Sequence, residues 1–292
     1  MPSRELLLVD GMAVLYRAFF AIRELSTSSG RPTNALFGFI RMLRQMMTAW
    51  HPSHVAVAFD GGLPEERTAL LAEYKAQRPP LPEPLRAQID ASREYLDRAG
   101  ITWLRVEGQE ADDIIASLAR WAEHEGDAVL IASSDKDLYQ LVGGKVRVVP
   151  VSGELGTGMG PDEVKLKTGV SPAKIVEWLA LVGDSADNIP GVPGVGPKTA
   201  AKLLNEFGSL EDIWCRMDAV ESDRIRASLL ANRPLVDRNI AMMRLRTDLV
   251  SGVTWDALRA RTPDKDKLLA FYEEMEFGSL ARELREPALF DA

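Results

Sequence analysis

Short apolar runs without alternation are the most regular pattern in the first half of the chain. Such runs are typical of strands that are buried on both faces of a sheet. They occupy residues 5–10, 54–60 and 128–132, with shorter runs at 102–106 and 146–151. Helical spacing of apolar residues at 13–21 and 34–50 separates the first two runs. The order strand, helix, strand predicts a parallel sheet with right-handed crossovers.

The second half of the chain has helical periodicity almost throughout, which predicts a helical domain. The expected helices cover residues 172–181, 197–207, 210–217, 222–230, 234–243 and 265–275. We place the boundary between two domains, 1–169 and 170–292, at a Gly-Val-Ser-Pro sequence. The charged, proline-rich residues 61–84 predict a mobile, partly helical excursion above the sheet edge, and the glycine-rich residues 152–160 predict a flexible segment.

Composition restricts the class of protein. A chain of 292 residues, 46% of them hydrophobic, can bury one large core or two smaller ones. No apolar run has membrane-spanning length, and the apolar start of the chain ends in an acid, so we expect neither membrane association nor a signal peptide. The single cysteine, Cys215, excludes an intrachain disulfide and fits a reducing compartment, so a cytoplasmic location is expected.

Acidic residues follow the ends of the predicted strands. They are Asp10, Asp60, Asp135 and Asp137 at strand ends, and Glu110, Asp112 and Asp113 in the first turn of an expected helix. The carboxyl ends of parallel strands meet at one edge of a sheet, where ligands collect. The helix dipole alone favours an acid in a first turn. Repetition of acids along one sheet edge, however, indicates a cation site.

Residues 183–199, GDSADNIPGVPGVGPKT, combine two further acids, Asp184 and Asp187, with a glycine-rich turn and a helix start. A helix that begins at Pro197 would direct free N–H groups and its positive dipole end outward, beside Lys198, which suits a phosphate. A Walker A loop is excluded because Pro197 stands where its lysine is required. The stretch instead resembles a helix-hairpin-helix, at about 188–207, of the kind that binds a DNA backbone without reading bases. An ordinary turn between two helices is the alternative.

Seven motifs occur in one order along the chain. They are Leu-Val-Asp-Gly at 8–11, Phe-Asp at 59–60, Tyr-Lys-Ala-x-Arg at 74–78, Glu-Ala-Asp-Asp at 110–113, Asp-Lys-Asp-Leu-Tyr-Gln at 135–140, Gly-Asp-x-x-Asp-Asn-Ile-Pro-Gly at 183–191 and Glu-Phe-Gly-Ser-Leu at 276–280. In this order they resemble the bacterial 5′ nucleases, the flap-endonuclease-like family that includes the 5′→3′ exonuclease domain of DNA polymerase I. The resemblance extends from Leu6 to Leu280. It implies a PIN/flap-endonuclease-like α/β fold, with a mostly parallel central sheet flanked by helices, residues 61–84 as an arch, and a C-terminal helical domain containing the helix-hairpin-helix.

The resemblance implies two Mg²⁺ ions, which prefer carboxylate and water ligands, and we expect Mn²⁺ to be able to replace them. By similarity, the first ion is held by Asp10, Asp60, Glu110 and Asp112, and the second by Asp135, Asp137, Asp184 and Asp187, with Asp113 shared between them or in the outer shell. Setting these nine acids aside changes the formal net charge from −8 to +1. The net charge therefore does not exclude a nucleic-acid partner.

The resemblance also implies which residues contact DNA. Lys75 and Arg78 match arch residues that stabilise negative charge at the scissile phosphate, and with Asp10 and Asp112 they are the expected catalytic residues. The other expected contacts are Tyr16, Arg17, Arg67, Gly191, Gly194, Gly196, Lys198 and Thr199, with a K⁺ ion on the hairpin carbonyls. For Tyr16, packing in the core is the preferred alternative. In the arch, Glu66 and Leu71 replace the aromatic residues that are usual in relatives. The way in which the family guides a free 5′ strand therefore does not carry over directly to this chain, whereas the acids of the metal site are all present.

The resemblance therefore implies a monomeric, structure-specific 5′ nuclease of DNA replication and repair. It would cut DNA at 5′ flaps and at 5′ ends next to a duplex, by a two-metal-ion hydrolysis. The sequence leaves open whether the chain is free-standing or the first part of a longer DNA polymerase I, and how flap cutting compares with end trimming. Two alternatives stay open: a PIN-like ribonuclease with the same acidic sheet edge, and a DNA-junction-binding module without activity whose acids only cap helices.

Overall fold

The computed structural model describes residues 4–152, 156 and 158–286. Its first part contains β1 (Glu5–Asp10), α1 (Gly11–Ala21), α2 (Asn34–Trp50), β2 (His54–Phe59), α3 (Glu65–Leu70), α4 (Glu83–Ala99), β3 (Thr102–Arg105), α5 (Ala111–His124), β4 (Ala128–Ala132), β5 (Val146–Val149) and α6 (Pro161–Thr168). Its second part contains α7 (Ile175–Val182), β6 (Gly183–Asp184), β7 (Ile189–Pro190), α8 (Pro197–Phe207), α9 (Leu210–Cys215), α10 (Asp223–Ala231), α11 (Arg233–Met243), α12 (Trp255–Leu258), α13 (Lys265–Glu274) and α14 (Gly278–Arg285). None of the helices in these described ranges combines the length and the apolarity that a membrane span requires.

A five-stranded parallel sheet, in the order β3-β2-β1-β4-β5, forms the centre of the fold. Each apolar run forms one strand, so the prediction of a parallel sheet is confirmed. From β1 the chain builds outward to β2 and β3, and then returns to add β4 and β5 on the other side. β1 and β4 therefore flank the point where the strand order reverses, and open parallel sheets leave a ligand crevice there. Asp10 ends β1 at this crevice, and residues 133–137 follow β4.

Each face of the sheet is covered by its own apolar layer. Leu7 and Val9 of β1 pack in the layer that contains α1, α2 and α4. Leu6 and Leu8 pack in the other layer, with α5 and most helices of the second half of the chain. The strands lack polar alternation because both faces of the sheet are buried.

The last two helices, α13 and α14, pack against the α/β part of the molecule. Phe271 and Tyr272 of α13 lie near Tyr95 of α4, with ring centroids 6.1 and 6.3 Å apart, and Phe277 contacts Phe37 of α2 at 5.2 Å. The assignment of residues 170–292 to a separate helical domain stays a prediction, and these contacts show that its last two helices cover the α/β part. Helical periodicity does not show which layer a helix will cover. Residues 287–292 of that assignment lie outside the described chain.

The arch is docked and not a free excursion. Residues 73–78 lie along the turn at 185–188, where the Lys75 N–H donates to the carbonyl oxygen of Asp187 (3.0 Å) and Asn188 Nδ2 donates to that of Glu73 (2.7 Å). These contacts were not predicted, because the hydrogen-bonding groups are distant in the sequence and leave no periodic signal. The expected mobility of residues 61–84 stays a prediction. Other elements that the sequence pattern does not predict are α4, α12, α14 and the short antiparallel pair β6–β7. The expected flexible segment at 152–160 falls partly outside the described residues.

Candidate active site

Asp10 and Asp60 stand at the carboxyl ends of neighbouring strands, and each accepts a hydrogen bond from the start of a helix. Asp10 Oδ1 accepts from the Ala13 N–H in α1 (2.9 Å), and Ser133 Oγ donates to Asp10 Oδ2 (3.2 Å). Asp60 Oδ1 accepts from the Ala111 N–H, at the first residue of α5 (2.8 Å). Both carboxylates are thereby held at the edge of the sheet, next to the positive ends of helix dipoles.

A second group of acids lies on the loops beside this edge. Asp137, Asp184 and Asp187 each present one carboxylate oxygen, and these three atoms lie within 4.8 Å of one another. Asp135 Oδ1 accepts the Asp137 N–H (2.8 Å), and Lys136 Nζ lies 3.3 Å from Asp184 Oδ2. Three carboxylate oxygens at this separation suit a hard divalent cation.

An open cavity of about 460 Å³ joins the two groups of acids. Its lining includes the acids Asp10, Asp135, Asp184 and Asp187 and the cationic side chains Arg78, Lys136 and Lys167. A cavity with side chains of both signs can hold a cation together with a phosphate, since each has groups of opposite charge within the same walls.

Burial and mutual repulsion raise the proton affinity of these carboxylates. Burial raises the pKa of Asp10 to about 6, and the negative charges of Asp60 and Asp135 add to the effect. Burial also raises the pKa of Asp112 and of Asp137 well above the usual range, with the charge of Asp135 as the next cause in both. Protonation of one carboxylate, or a cation bound between several, reduces the electrostatic repulsion among them.

Two buried oxygens provide a test of whether divalent ions fit. Oδ1 of Asp112 and Oδ1 of Asp137 are shielded from solvent, and no described residue donates a hydrogen bond to either. Buried polar atoms are normally satisfied, so each of these oxygens has capacity for a ligand. The acids around them offer only carboxylate oxygens, the donors that Mg²⁺ and Mn²⁺ take. The residues present therefore fit divalent ions.

Asp113 and Arg67 do not line the cavity and are buried partners of each other. Asp113 has no exposed surface, and its oxygens accept hydrogen bonds from the guanidinium of Arg67 (2.7 and 2.9 Å) and from the Arg246 N–H (2.8 Å). Arg67 is only 7% exposed and also forms an ion pair with Glu110. The structure thus differs from the expectation of Arg67 as a DNA contact. Of the two positions expected for Asp113, its contacts fit the outer shell and not a ligand shared between two ions. The burial of both residues arises from contacts between distant segments, which the motifs do not show.

The arch residues lie directly on the acids. Lys75 forms ion pairs with Glu110 and with Asp187, the latter at 3.6 Å, and Arg78 Nη2 lies 2.5 Å from Asp187 Oδ1. The Tyr74 hydroxyl donates to Glu110 Oε2 (3.0 Å) and lies 3.3 Å from Asp187 Oδ2. Tyr74 belongs to the motif at 74–78, but no role was expected for it. Its position immediately before Lys75 is the signal that could have indicated one.

Two of the three hairpin glycines that are expected to contact DNA occupy positions that require glycine. A Cβ on Gly191 would lie 2.1 Å from the carbonyl oxygen of Val182, and Gly194 has a φ of +82°. Gly196 has open space around it and precedes α8. Lys198 is exposed in the first turn of α8, where free N–H groups favour a phosphate, and Thr199 is half-buried beside it.

Asn239 of α11 supports the hairpin from behind and was missed by sequence analysis. It is fully buried, and its Nδ2 donates to the carbonyl oxygens of Ala180 (3.0 Å) and Pro190 (2.8 Å). A single asparagine within a helical pattern gives no signal of such a role. On α1, Tyr16 is half-buried against the apolar layer, whereas Arg17 is exposed.

Comparison with known families connects this geometry to a group of proteins. Residues 5–169 match the family model "5'-3' exonuclease, N-terminal resolvase-like domain", and residues 170–266 match "5'-3' exonuclease, C-terminal SAM fold". The chain belongs to the 5'-3' exonuclease family. A family member from Aquifex aeolicus, named 5'-3' exonuclease, is 40% identical over 96% of this chain and 95% of its own length. The thermostable DNA polymerase I of Thermus thermophilus is 42% identical over 97% of this chain. The chain spans about a third (33%) of that polymerase's length.

Solved structures of two other proteins share the fold of this chain. The T5 D15 protein, co-crystallised with metal ions, has a TM-score of 0.72 at 22% identity, covering 94% of this chain and 99% of the T5 chain. The catalytic core of Rad2 in complex with a DNA substrate has a TM-score of 0.63 at 20% identity, covering 94% and 89%. These similarities confirm the predicted fold class, a central sheet flanked by helices and followed by a helical part.

Proposed function

We propose that this chain is a structure-specific 5′ nuclease that hydrolyses DNA phosphodiesters at 5′ flaps and at 5′ ends next to a duplex. One observation carries the proposal: acids from the strand ends and from the turn before the hairpin line one cavity, and the arch cations Lys75 and Arg78 pair with Asp187 of that cavity. Lys75 also pairs with Glu110, at the start of α5. The relative named 5'-3' exonuclease and the Rad2 core with its DNA substrate support DNA as the partner.

The proposed cofactor is a pair of Mg²⁺ ions, which Mn²⁺ can replace. Asp10, Asp60, Glu110 and Asp112 would hold one ion, and Asp135, Asp137, Asp184 and Asp187 the other. When bound, two such ions neutralise the attacking and leaving oxygens of a phosphodiester. The unsatisfied oxygens of Asp112 and Asp137 belong to different groups of this set, which supports two ions and not one.

The proposed role of Lys75 and Arg78 is to stabilise the negative charge that develops on the scissile phosphate. In the structure these side chains neutralise Glu110 and Asp187. Once those carboxylates are neutralised in another way, both cations are free to approach a phosphate in the cavity. The arch would then supply positive charge on the side opposite the acids.

The hairpin is the proposed duplex-binding element. The exposed Lys198 and the free N–H groups at the start of α8 suit a phosphate of the DNA backbone, and we further propose a K⁺ ion on the hairpin carbonyls. Weaker duplex binding in Na⁺ than in K⁺ would support that ion, and equal binding would contradict it. We also propose that the chain acts as a cytoplasmic monomer in replication and repair, alone or joined to a DNA polymerase I.

A cleavage assay on labelled 5′-flap, nicked and single-stranded DNA, with Mg²⁺ and with EDTA, tests the function. The wild-type chain should cut near the flap junction only with Mg²⁺, and Asp10→Ala and Asp112→Asn should abolish cutting while DNA binding persists. Asp90→Asn, which removes an exposed acid of α4, serves as the control. Cutting by the two active-site variants at the wild-type rate would contradict the proposal, and a strong preference for an RNA flap would favour the PIN-like ribonuclease.

A further inference from the structure

Arg67 of α3 connects three parts of the molecule. Its Nη1 and Nη2 donate to the two oxygens of Asp113 at 2.7 and 2.9 Å, and Nη1 also donates to Glu110 Oε2. Its Nε donates to the carbonyl oxygen of Met242, near the end of α11 (3.0 Å). One buried guanidinium therefore ties the base of the arch, the start of α5 and the second half of the chain together.

The contact with Glu110 extends to Asp187 of the cavity, because the Tyr74 hydroxyl and the Lys75 ammonium each contact both carboxylates. Glu110 precedes α5 and is 4% exposed. Its Oε2 accepts from Arg67 and from the Tyr74 hydroxyl, while its Oε1 accepts from Lys75. Because Oε2 is fixed by buried donors, the direction of Oε1 is fixed as well. The side of Glu110 that faces the Lys75 ammonium is thus presented in one orientation.

Asp113 makes the same guanidinium rigid. Its carboxylate forms a bidentate pair with the guanidinium of Arg67, and its Oδ1 also accepts the Arg246 N–H at 2.8 Å. Two parallel hydrogen bonds between a guanidinium and a carboxylate fix geometry as well as supply energy. Asp113 would therefore act on the cavity through Arg67 and not by binding an ion.

We propose that Arg67 is a positioning residue for the divalent-ion site, which orients Glu110 and does not contact DNA. This inference rests on the proposed function, in which Glu110 is an ion ligand. Residues that orient metal ligands in this way typically change metal affinity by about 10–100-fold when they are replaced. A direct phosphate contact would instead weaken DNA binding and reduce its salt dependence by about one counterion.

The experiment compares Arg67→Met, Arg67→Lys and Asp113→Asn with the wild-type full chain. Mn²⁺ affinity is measured by calorimetry without DNA, and flap binding is measured in EDTA over a salt series. Arg120→Met, which removes an exposed arginine of α5 paired with Glu123, is the matched control. If Arg67→Met does not fold, Arg67→Lys and Asp113→Asn still test the proposal. Lysine keeps the positive charge but cannot form two parallel hydrogen bonds with Asp113. Asp113→Asn keeps the arginine but weakens its bidentate pair.

We expect Arg67→Met to lower Mn²⁺ affinity by about 10-fold or more, with flap binding and its salt dependence unchanged. Arg67→Lys should recover part of the affinity, and cleavage should show a lower kcat with an unchanged KM at limiting Mn²⁺. Two results would overturn the inference: weaker flap binding with a smaller salt dependence and normal Mn²⁺ affinity, or a lower Tm with normal Mn²⁺ affinity. If the wild-type chain neither binds Mn²⁺ nor cuts a flap, the proposed function is wrong, and the inference that rests on it is overturned as well.

Discussion

Replacing Asp10 by asparagine should stabilise the protein in the absence of divalent ions and at the same time abolish cleavage. Asp10 has a pKa raised to about 6 because it is buried, and the charges of Asp60 and Asp135 add to this effect. Asparagine keeps a side-chain oxygen that can accept the Ala13 N–H at the start of α1. The substitution therefore removes a negative charge with little other change to the contacts.

The expected increase in stability of Asp10→Asn follows from the raised pKa of Asp10 in the folded protein. The shift from 3.8 to about 6 corresponds to about 3 kcal/mol, which the ionised carboxylate costs the folded protein. Because the pKa is raised in the folded state, the folded protein binds this proton more tightly than the unfolded chain does. The cost is absent below about pH 4 and fully present above about pH 6. Above that pH, Asp10→Asn should raise the Tm by on the order of 6 °C.

Thermal melts of wild type and Asp10→Asn in EDTA, at about pH 8 and about pH 4, provide the measurement. The variant should melt higher than wild type at the alkaline pH and at the same temperature at the acidic pH. Adding Mg²⁺ should reduce or reverse the difference, because an ion that binds the folded state stabilises wild type more. A lower Tm of the variant in EDTA at the alkaline pH, or an equal gain at both pH values, would refute the reasoning. The exposed Asp90→Asn change should show neither effect.

Three further predictions test other parts of the site. Gly183→Ala should destabilise the fold by several kcal/mol, because the φ of Gly183 is +77° and a Cβ there would lie 2.3 Å from the backbone nitrogen of Gly191. Gly196→Ala is the control, since a Cβ at Gly196 has open space around it. Equal urea midpoints for the two variants would contradict this. Asn239→Ala should lower the free energy of unfolding by about 2 kcal/mol, because the carbonyls of Ala180 and Pro190 behind the hairpin lose their donor. An unchanged urea midpoint would contradict this. Tyr74→Phe should weaken Mn²⁺ binding in calorimetry while the far-UV spectrum is retained, as its hydroxyl contacts two acids of the site; unaltered affinity would show that the hydroxyl is dispensable.

The sheet could be predicted because its strands depend on local apolar runs. All five strands of the parallel sheet lie within the predicted runs, and α2 and α8 have the predicted bounds. The acids at the strand ends could be predicted to meet for the same reason, since a parallel sheet brings its carboxyl ends together. Asp137, Asp184 and Asp187 illustrate this, because their oxygens lie within one small group although they come from separate loops.

The parts that could not be predicted depend on contacts between distant segments. The four-residue motif at 110–113 contains both Asp112, whose Oδ1 receives no hydrogen bond from the described residues, and Asp113, whose oxygens are occupied by Arg67. Their order in the sequence gives no indication of this difference. The direction of each side chain in the first turn of a helix depends on what packs against the helix, and that is a property of the tertiary structure.

The turn at 185–188 belongs to two functional elements at once. It lies between β6 and β7, at the beginning of the hairpin, and its backbone carbonyls accept hydrogen bonds from Lys75 and Gln77 of the arch. Neither element can shift alone without breaking these hydrogen bonds. If the hairpin binds a duplex as proposed, a displacement of the hairpin would be transmitted through this turn to the ammonium and guanidinium groups beside the acids. Duplex binding and the arrangement of the acidic site would then be coupled over a few residues.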